Sequence, residues 1–124
     1  MEIINGAIVV PPPGSDAAQP VAEPVIFGPT QTNGSYRVLI GELPPNEPPP
    51  PLHIHPHTDE AFYIANGEIT FQLGDQIIQG SAGTLVFIPK GIVHTAWNAR
   101  DRPSRGLIII SPGDAEHIFA PLEA

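Results

Sequence analysis

The placing of the prolines constrains this chain more than any other feature. Thirteen of its 17 prolines lie between residues 11 and 56, and six crowd into the eight residues 44–51. Proline cannot donate a backbone hydrogen bond and clashes with the preceding helical turn, so no helix or central strand can cross 11–13 or 44–51. Both segments are predicted to be extended connectors at the edge of the fold. Proline and glycine together make up about 23% of the 124 residues, close to the roughly 25–30% that marks a disordered chain. The distribution decides against disorder, because residues 60–110 are rich in valine, isoleucine and phenylalanine and hold only Pro89 and Pro103.

In that richer stretch, short β-prone runs alternate with turn signals. Strands are predicted over 36–43, 52–55, 60–65, 68–73, 76–79, 84–88, 94–98 and 105–111, with one more at 25–27 and a β-prone arm at 3–10. Asn66-Gly67 is the strongest short hairpin signal in the chain, and Gly74-Asp75 and residues 80–83 mark further turns. Only residues 113–120 have a helical pattern, with Asp114 as its cap. Such spacing indicates an all-β sandwich or barrel, divided here into an arm and proline-rich connection over 1–30 and a single domain over 31–124.

Charge and cysteine content remove several classes of function. Thirteen acidic residues face five basic ones for a net charge of −8, which repels a phosphate backbone and speaks against nucleic acid. The chain has no cysteine, so disulfides, thiolate metal sites and cysteine nucleophiles are excluded together. No apolar run approaches the roughly 20 residues of a membrane span, and the N-terminus lacks the pattern of a signal peptide. A cytoplasmic protein without membrane attachment is expected.

Three of the five histidines fall within five residues, His53-Ile54-His55-Pro56-His57, followed by Thr58-Asp59-Glu60. A helix would put His53 and His57 on one face, but the prolines at 48–51 and Pro56 forbid it. On a strand, alternation points His53 and His55 the same way, about 6–7 Å apart, so both rings can converge on one ion. A turn at 56–59 then brings Glu60 alongside. Alternation also turns Phe62 and Ile64 inward after Glu60, favours Ile69, Phe71 and Leu73 as the inward set on the next strand, and sends Thr95 and Trp97 outward while Ala96 and Asn98 face in with His94. Asp59 reads as a turn residue. His57 is the spare histidine, a candidate general base or otherwise a solvated loop residue. His117 belongs to the tail helix.

The full pattern is His53-x-His55-x4-Glu60-x6-Gly67, then, after 15 residues, Gly83-x5-Pro89-x-Gly91-x2-His94-x3-Asn98. These nine positions and their spacing resemble the two motifs of the cupin family, in its small single-domain form. The resemblance covers residues 51–98 and implies a double-stranded β-helix, or jelly-roll barrel, holding a metal through His53, His55, Glu60 and His94. Three neutral imidazoles and one carboxylate leave a divalent ion with open positions, which is a site for exchange. Fe(II) or Mn(II) is favoured, and Ni, Cu, Co and Zn also suit such ligands.

The chain resembles the quercetinase-like small cupins, which implies a metal-dependent oxidoreductase of the dioxygenase type. Glu60 is then both ligand and proton acceptor. Only Arg37 and Arg105 could place a positive charge near the site, which weakens a sugar-phosphate substrate and favours an uncharged or weakly acidic small molecule that chelates through oxygen, such as a phenol, enol or diketone. A metal-dependent isomerase, cyclase, lyase or epimerase is the alternative, and a non-catalytic binding or sensor module is the third reading. The resemblance further implies a homodimer, with the 3–10 arm packed on the neighbouring barrel.

Overall fold

The computed structural model describes residues 2–9 and 25–113. Along them run β1 (Glu2–Ile4), β2 (Ala7–Val9), β3 (Val25–Phe27), the short helix α1 (Pro29–Thr32), β4 (Arg37–Leu43), β5 (Asp59–Asn66), β6 (Glu68–Leu73), β7 (Gln76–Ser81), β8 (Leu85–Ile88), β9 (His94–Trp97) and β10 (Ser104–Ser111). The fold is mostly antiparallel β. A five-stranded sheet has the order β3-β4-β10-β5-β8, and a three-stranded sheet has the order β7-β6-β9. The helix expected over 113–120, with His117, lies outside the described residues apart from Gly113.

Four residues that alternation turns inward, Phe62 and Ile64 from β5 and Ile69 and Phe71 from β6, form one buried cluster with Val86 and Ile88 from β8, and Leu73 packs against it partly buried. The rings of Phe62 and Phe71 meet edge to face, 5.2 Å apart at 79°. Such pairs add about 0.5–1.5 kcal/mol beyond the area they bury. Leu39 and Ile110 continue the buried layer across β4 and β10.

Three local expectations are corrected. Asn66-Gly67 does not close a hairpin: β5 pairs with β8 and β10, while β6 pairs with β7 and β9, so the chain changes sheets there. Glycine is required at this crossing, since Gly67 has φ +83° and a Cβ on it would stand 2.5 Å from Ser104 Oγ. That hydroxyl is already engaged, donating to the Glu68 carbonyl and accepting the Glu68 N–H. Secondly, residues 52–55 form no strand. Their only ladder contact is the bridge from His53 to His94, as expected where prolines deplete the flanking donors. Thirdly, where an arm is expected over 3–10, residues 2–9 fold back on themselves, with β1 and β2 paired around Asn5 (φ +50°) and Gly6 (φ +87°). That is the same Asn-Gly signal, effective where both flanking runs can pair locally.

Strand β3 pairs with β4, so the five-stranded sheet includes residues 25–27, ahead of the division drawn at residue 30. The outer face of this sheet is apolar. Leu85 and Phe87 on β8 are 75% and 65% exposed, beside Tyr63 on β5 and Ile109 on β10. No helix among the described residues is long and apolar enough to cross a membrane.

Candidate metal centre

Two stretches distant in sequence are stitched together to build the site. His53 and His94 exchange both backbone hydrogen bonds, at 3.0 and 2.9 Å. The His55 carbonyl accepts the Gly91 N–H at 2.9 Å, and Asp59 Oδ1 accepts the Lys90 N–H at 2.8 Å. The turn at 89–91, where Gly91 has φ +87°, is thereby held against residues 53–59 from both ends. Asp59, expected in the turn, is instead the first residue of β5, opposite Ser111 of β10, and its carboxylate anchors the turn that delivers His94. Glu60 enters on β5, opposite Ile88 of β8 and Ile110 of β10.

The four predicted ligands come together. One ligand atom from each of His53, His55, Glu60 and His94 lies within 4.8 Å of all the others. The imidazole centroids are 4.4–5.2 Å apart. Two rings are oriented by backbone carbonyls: His94 Nδ1 lies 2.8 Å from the Ile92 oxygen and His53 Nδ1 lies 3.1 Å from the Pro51 oxygen. A carbonyl only accepts, so each Nδ1 carries the proton and each Nε2 is left with a free lone pair, the usual arrangement of a metal-binding histidine.

His55 Nε2 is 2.5 Å and His94 Nε2 3.4 Å from the same Glu60 Oε1. All three atoms are buried, and none has a hydrogen-bond partner of acceptable geometry. Unpartnered buried donors and acceptors are costly, and a cluster of them converging on one point fits a cation in their midst. The donor set is nitrogen and oxygen only, which suits a divalent transition metal. Burial is the largest influence on the His55 imidazole and holds it below the usual histidine range despite the Glu60 carboxylate. Burial is also the largest single influence on His94, but the Glu60 carboxylate and the Ile92 carbonyl together outweigh it and raise that group.

His53, Glu60 and His94 open onto a cavity of about 320 Å³. Its walls are mostly apolar, including Leu43, Pro51, Phe62, Ile69 and Ile108, and no lysine or arginine lines it. Arg37 and Arg105 are therefore not pocket residues; Arg105 pairs with Glu42 across the β4–β10 ladder. His57 is exposed on the bend after Pro56 and is absent from the cavity wall, and the four-residue cluster forms without it.

Asn98 is completely buried, as expected for an inward residue, and its role is structural. Its amide donates to the Leu43 and Arg102 carbonyls and accepts the Arg100 N–H. Thr95, predicted to face outward, is only 1% exposed, lines the cavity and has an unpartnered hydroxyl. Sequence reading also missed Gly41 and Gly106 in the cavity wall, although alternation from Leu39 and Ile108 places both facing inward.

A family model of the cupin domain, Cupin_2, matches residues 39–117. Among solved structures, the chain is similar to an uncharacterized conserved protein with a double-stranded beta-helix domain from Klebsiella pneumoniae subsp. pneumoniae MGH 78578, at 23% identity and a TM-score of 0.63, covering 86% of this chain and 85% of that one. It is also similar to a cupin protein from Bacteroides fragilis, at 23% identity and a TM-score of 0.58, covering 65% and 69%. KdgF from Halomonas sp. matches at 18% identity and a TM-score of 0.58, covering 64% and 70%. At these identities the likeness is one of fold. No curated protein matches the chain.

Proposed function

The chain belongs to the cupin domain family, and from that premise we propose that it is a metal-dependent oxidoreductase of the dioxygenase type, acting on a small organic molecule that chelates through oxygen. The observation that carries this reading is the group of unpartnered nitrogen and oxygen atoms of His55, Glu60 and His94, buried beside an apolar, cation-free cavity. Fe(II) or Mn(II) is the proposed ion. Such an ion, when bound, supplies Lewis acidity to a substrate oxygen and, being redox-active, a centre for dioxygen chemistry.

The remaining work falls to the chain. His53 and His94 are fixed by the Pro51 and Ile92 carbonyls, so their lone pairs are aimed before anything binds. The Glu60 carboxylate, buried at the cavity wall, is the group in reach of the proton that a phenolic or enolic hydroxyl sheds on binding. Leu43, Phe62 and Ile108 exclude water from the substrate's body. The absence of lysine and arginine from the wall leaves a sugar phosphate without a partner for its charge.

Elemental analysis of the purified protein, followed by oxygen uptake with a catechol, an enol and a diketone, tests the proposal. Iron or manganese near one ion per chain, with oxygen consumed in step with substrate, is expected. Zinc, or turnover unchanged without oxygen, overturns the oxidoreductase in favour of an isomerase or lyase, and ligand binding without turnover leaves a sensor.

We also propose that the chain works as a homodimer. The exposed row of Leu85, Phe87, Tyr63 and Ile109 crosses three adjacent strands, more apolar surface in one place than scattered side chains account for. A second copy of the same face is its proposed partner, because an isologous contact matches like with like. Light scattering at micromolar concentration tests this, and a monomer overturns it.

A further inference from the structure

Gly41 on β4 and Gly106 on β10 are direct cross-strand partners, and both line the cavity. They occupy inward positions, in line with Leu39 and Leu43 on one strand and Ile108 and Ile110 on the other. A glycine inside a strand weakens it, so each needs a reason. Neither has the positive φ seen at Gly67 or Gly91. Gly106 has a structural reason: it lies at the register shift between β10 and β5, and a Cβ there would meet Ile69 Cδ1 at 3.2 Å and the Tyr63 carbonyl at 3.3 Å. Gly41 has none. A Cβ on Gly41 meets nothing within 4 Å, so any side chain at this position would project into the open cavity.

We propose that the Gly41–Gly106 pair is a substrate shelf, a strip of bare backbone on which the flat apolar body of the ligand lies while its oxygens reach toward His53, Glu60 and His94. The shelf rests on the reading of the site as one that takes an oxygen-chelating molecule, and it sets which such molecule is accepted. A bare glycine backbone allows close approach of a planar group, where Cβ atoms would hold it off. The surrounding side chains supply apolar walls at Leu43, Ile69 and Ile108. The size agrees with a ring-bearing ligand, since the cavity of about 320 Å³ is roughly twice the ~150 Å³ void that holds one benzene. No lysine or arginine on the cavity wall offers a partner to an anionic tail. The ligand class is thus an aromatic or similarly flat molecule with a chelating oxygen pair at one end and no charge at the other.

Two probes with the same chelating head and different bodies test the shelf. The Co(II)-loaded protein is titrated with acetohydroxamate and with benzohydroxamate, and binding is read from the visible absorption of the cobalt. The unsubstituted protein is expected to bind benzohydroxamate more tightly by at least about tenfold. Gly41→Val is expected to lower benzohydroxamate affinity by about tenfold or more while moving acetohydroxamate by less than about twofold. Gly41→Ala, whose Cβ meets no neighbour, keeps the test open if the valine variant folds poorly, and is expected to shift the same ratio by a smaller factor. If both probes bind and the ratio is unchanged by either substitution, the shelf is wrong and the chelating site stands. If neither probe alters the cobalt spectrum, the chelating site itself is wrong and the shelf falls with it.

Discussion

The interior of this barrel is solid on one side and hollow on the other. Between β5, β6 and β8 the inward positions carry Ile64, Phe71, Val86 and Ile88, packed together out of solvent. Toward β4, β9 and β10 the corresponding positions carry Gly41, Ala96 and Gly106 beside His94, and the space is left open. Alternation of strand residues shapes both sides, and at the inward positions they differ in side-chain size and polarity. The solid side supplies stability, and the hollow side gives some of it up to make room for a ligand.

Truncating the solid side should have the largest effect. Phe71→Ala removes a fully buried ring and its contact with Phe62, and should lower unfolding free energy by about 3–5 kcal/mol in denaturant melts, leaving the metal content of the folded protein unchanged. A stability loss under 1 kcal/mol would erase the contrast between the sides. On the hollow side, His55→Ala should weaken metal binding by at least about a hundredfold, roughly 2.8 kcal/mol, because it removes a direct ligand and not merely a group that orients one. Isothermal titration with the apo protein would measure this, and an unchanged affinity would remove His55 from the ligand set.

Asn98, just past β9, ties the end of β4 to the loop that leads into β10. Asn98→Ala leaves the Leu43 and Arg102 carbonyls without the amide that serves them, and should cost about 1–3 kcal/mol of stability in the same melts. The smallest effect has the opposite sign. Gly41→Ala should stabilise the ligand-free protein by about 0.5–1 kcal/mol, because nothing in the fold needs glycine there. Gly106→Ala should bring no such gain, since its Cβ has to displace Ile69. Equal behaviour of the two glycines would mean that the hollow is a packing accident.

The four ligands were legible because ligand spacing is a local property: His53, His55, Glu60 and His94 each sit at a fixed offset from a glycine or proline that shapes a turn. The core was legible for a similar reason, as Phe62, Ile64, Ile69 and Phe71 follow a period of two. Strand partnership was not. Asn66-Gly67 signals a turn, but whether the flanking strands pair or part depends on what lies 37 residues away at Ser104, which occupies the space beside Gly67. The run 52–55 has strand-like residues, yet its neighbouring prolines withhold the donors that a ladder needs. Thr95 escaped because alternation assigns one face to solvent, whereas both His94 and Thr95 are buried. Gly41 and Gly106 looked like ordinary weak points in strands until their facing positions in β4 and β10 were known.

The paired hydrogen bonds between His53 and His94 join residues about forty positions apart in the chain. No fragment that ends before Pro89 contains the turn that carries His94, so a growing or partly unfolded chain holds at most three of the four ligands. An ion held by all four would therefore bind only the chain in which residues 53–60 and 89–94 have met, and it would stabilise that closure by mass action.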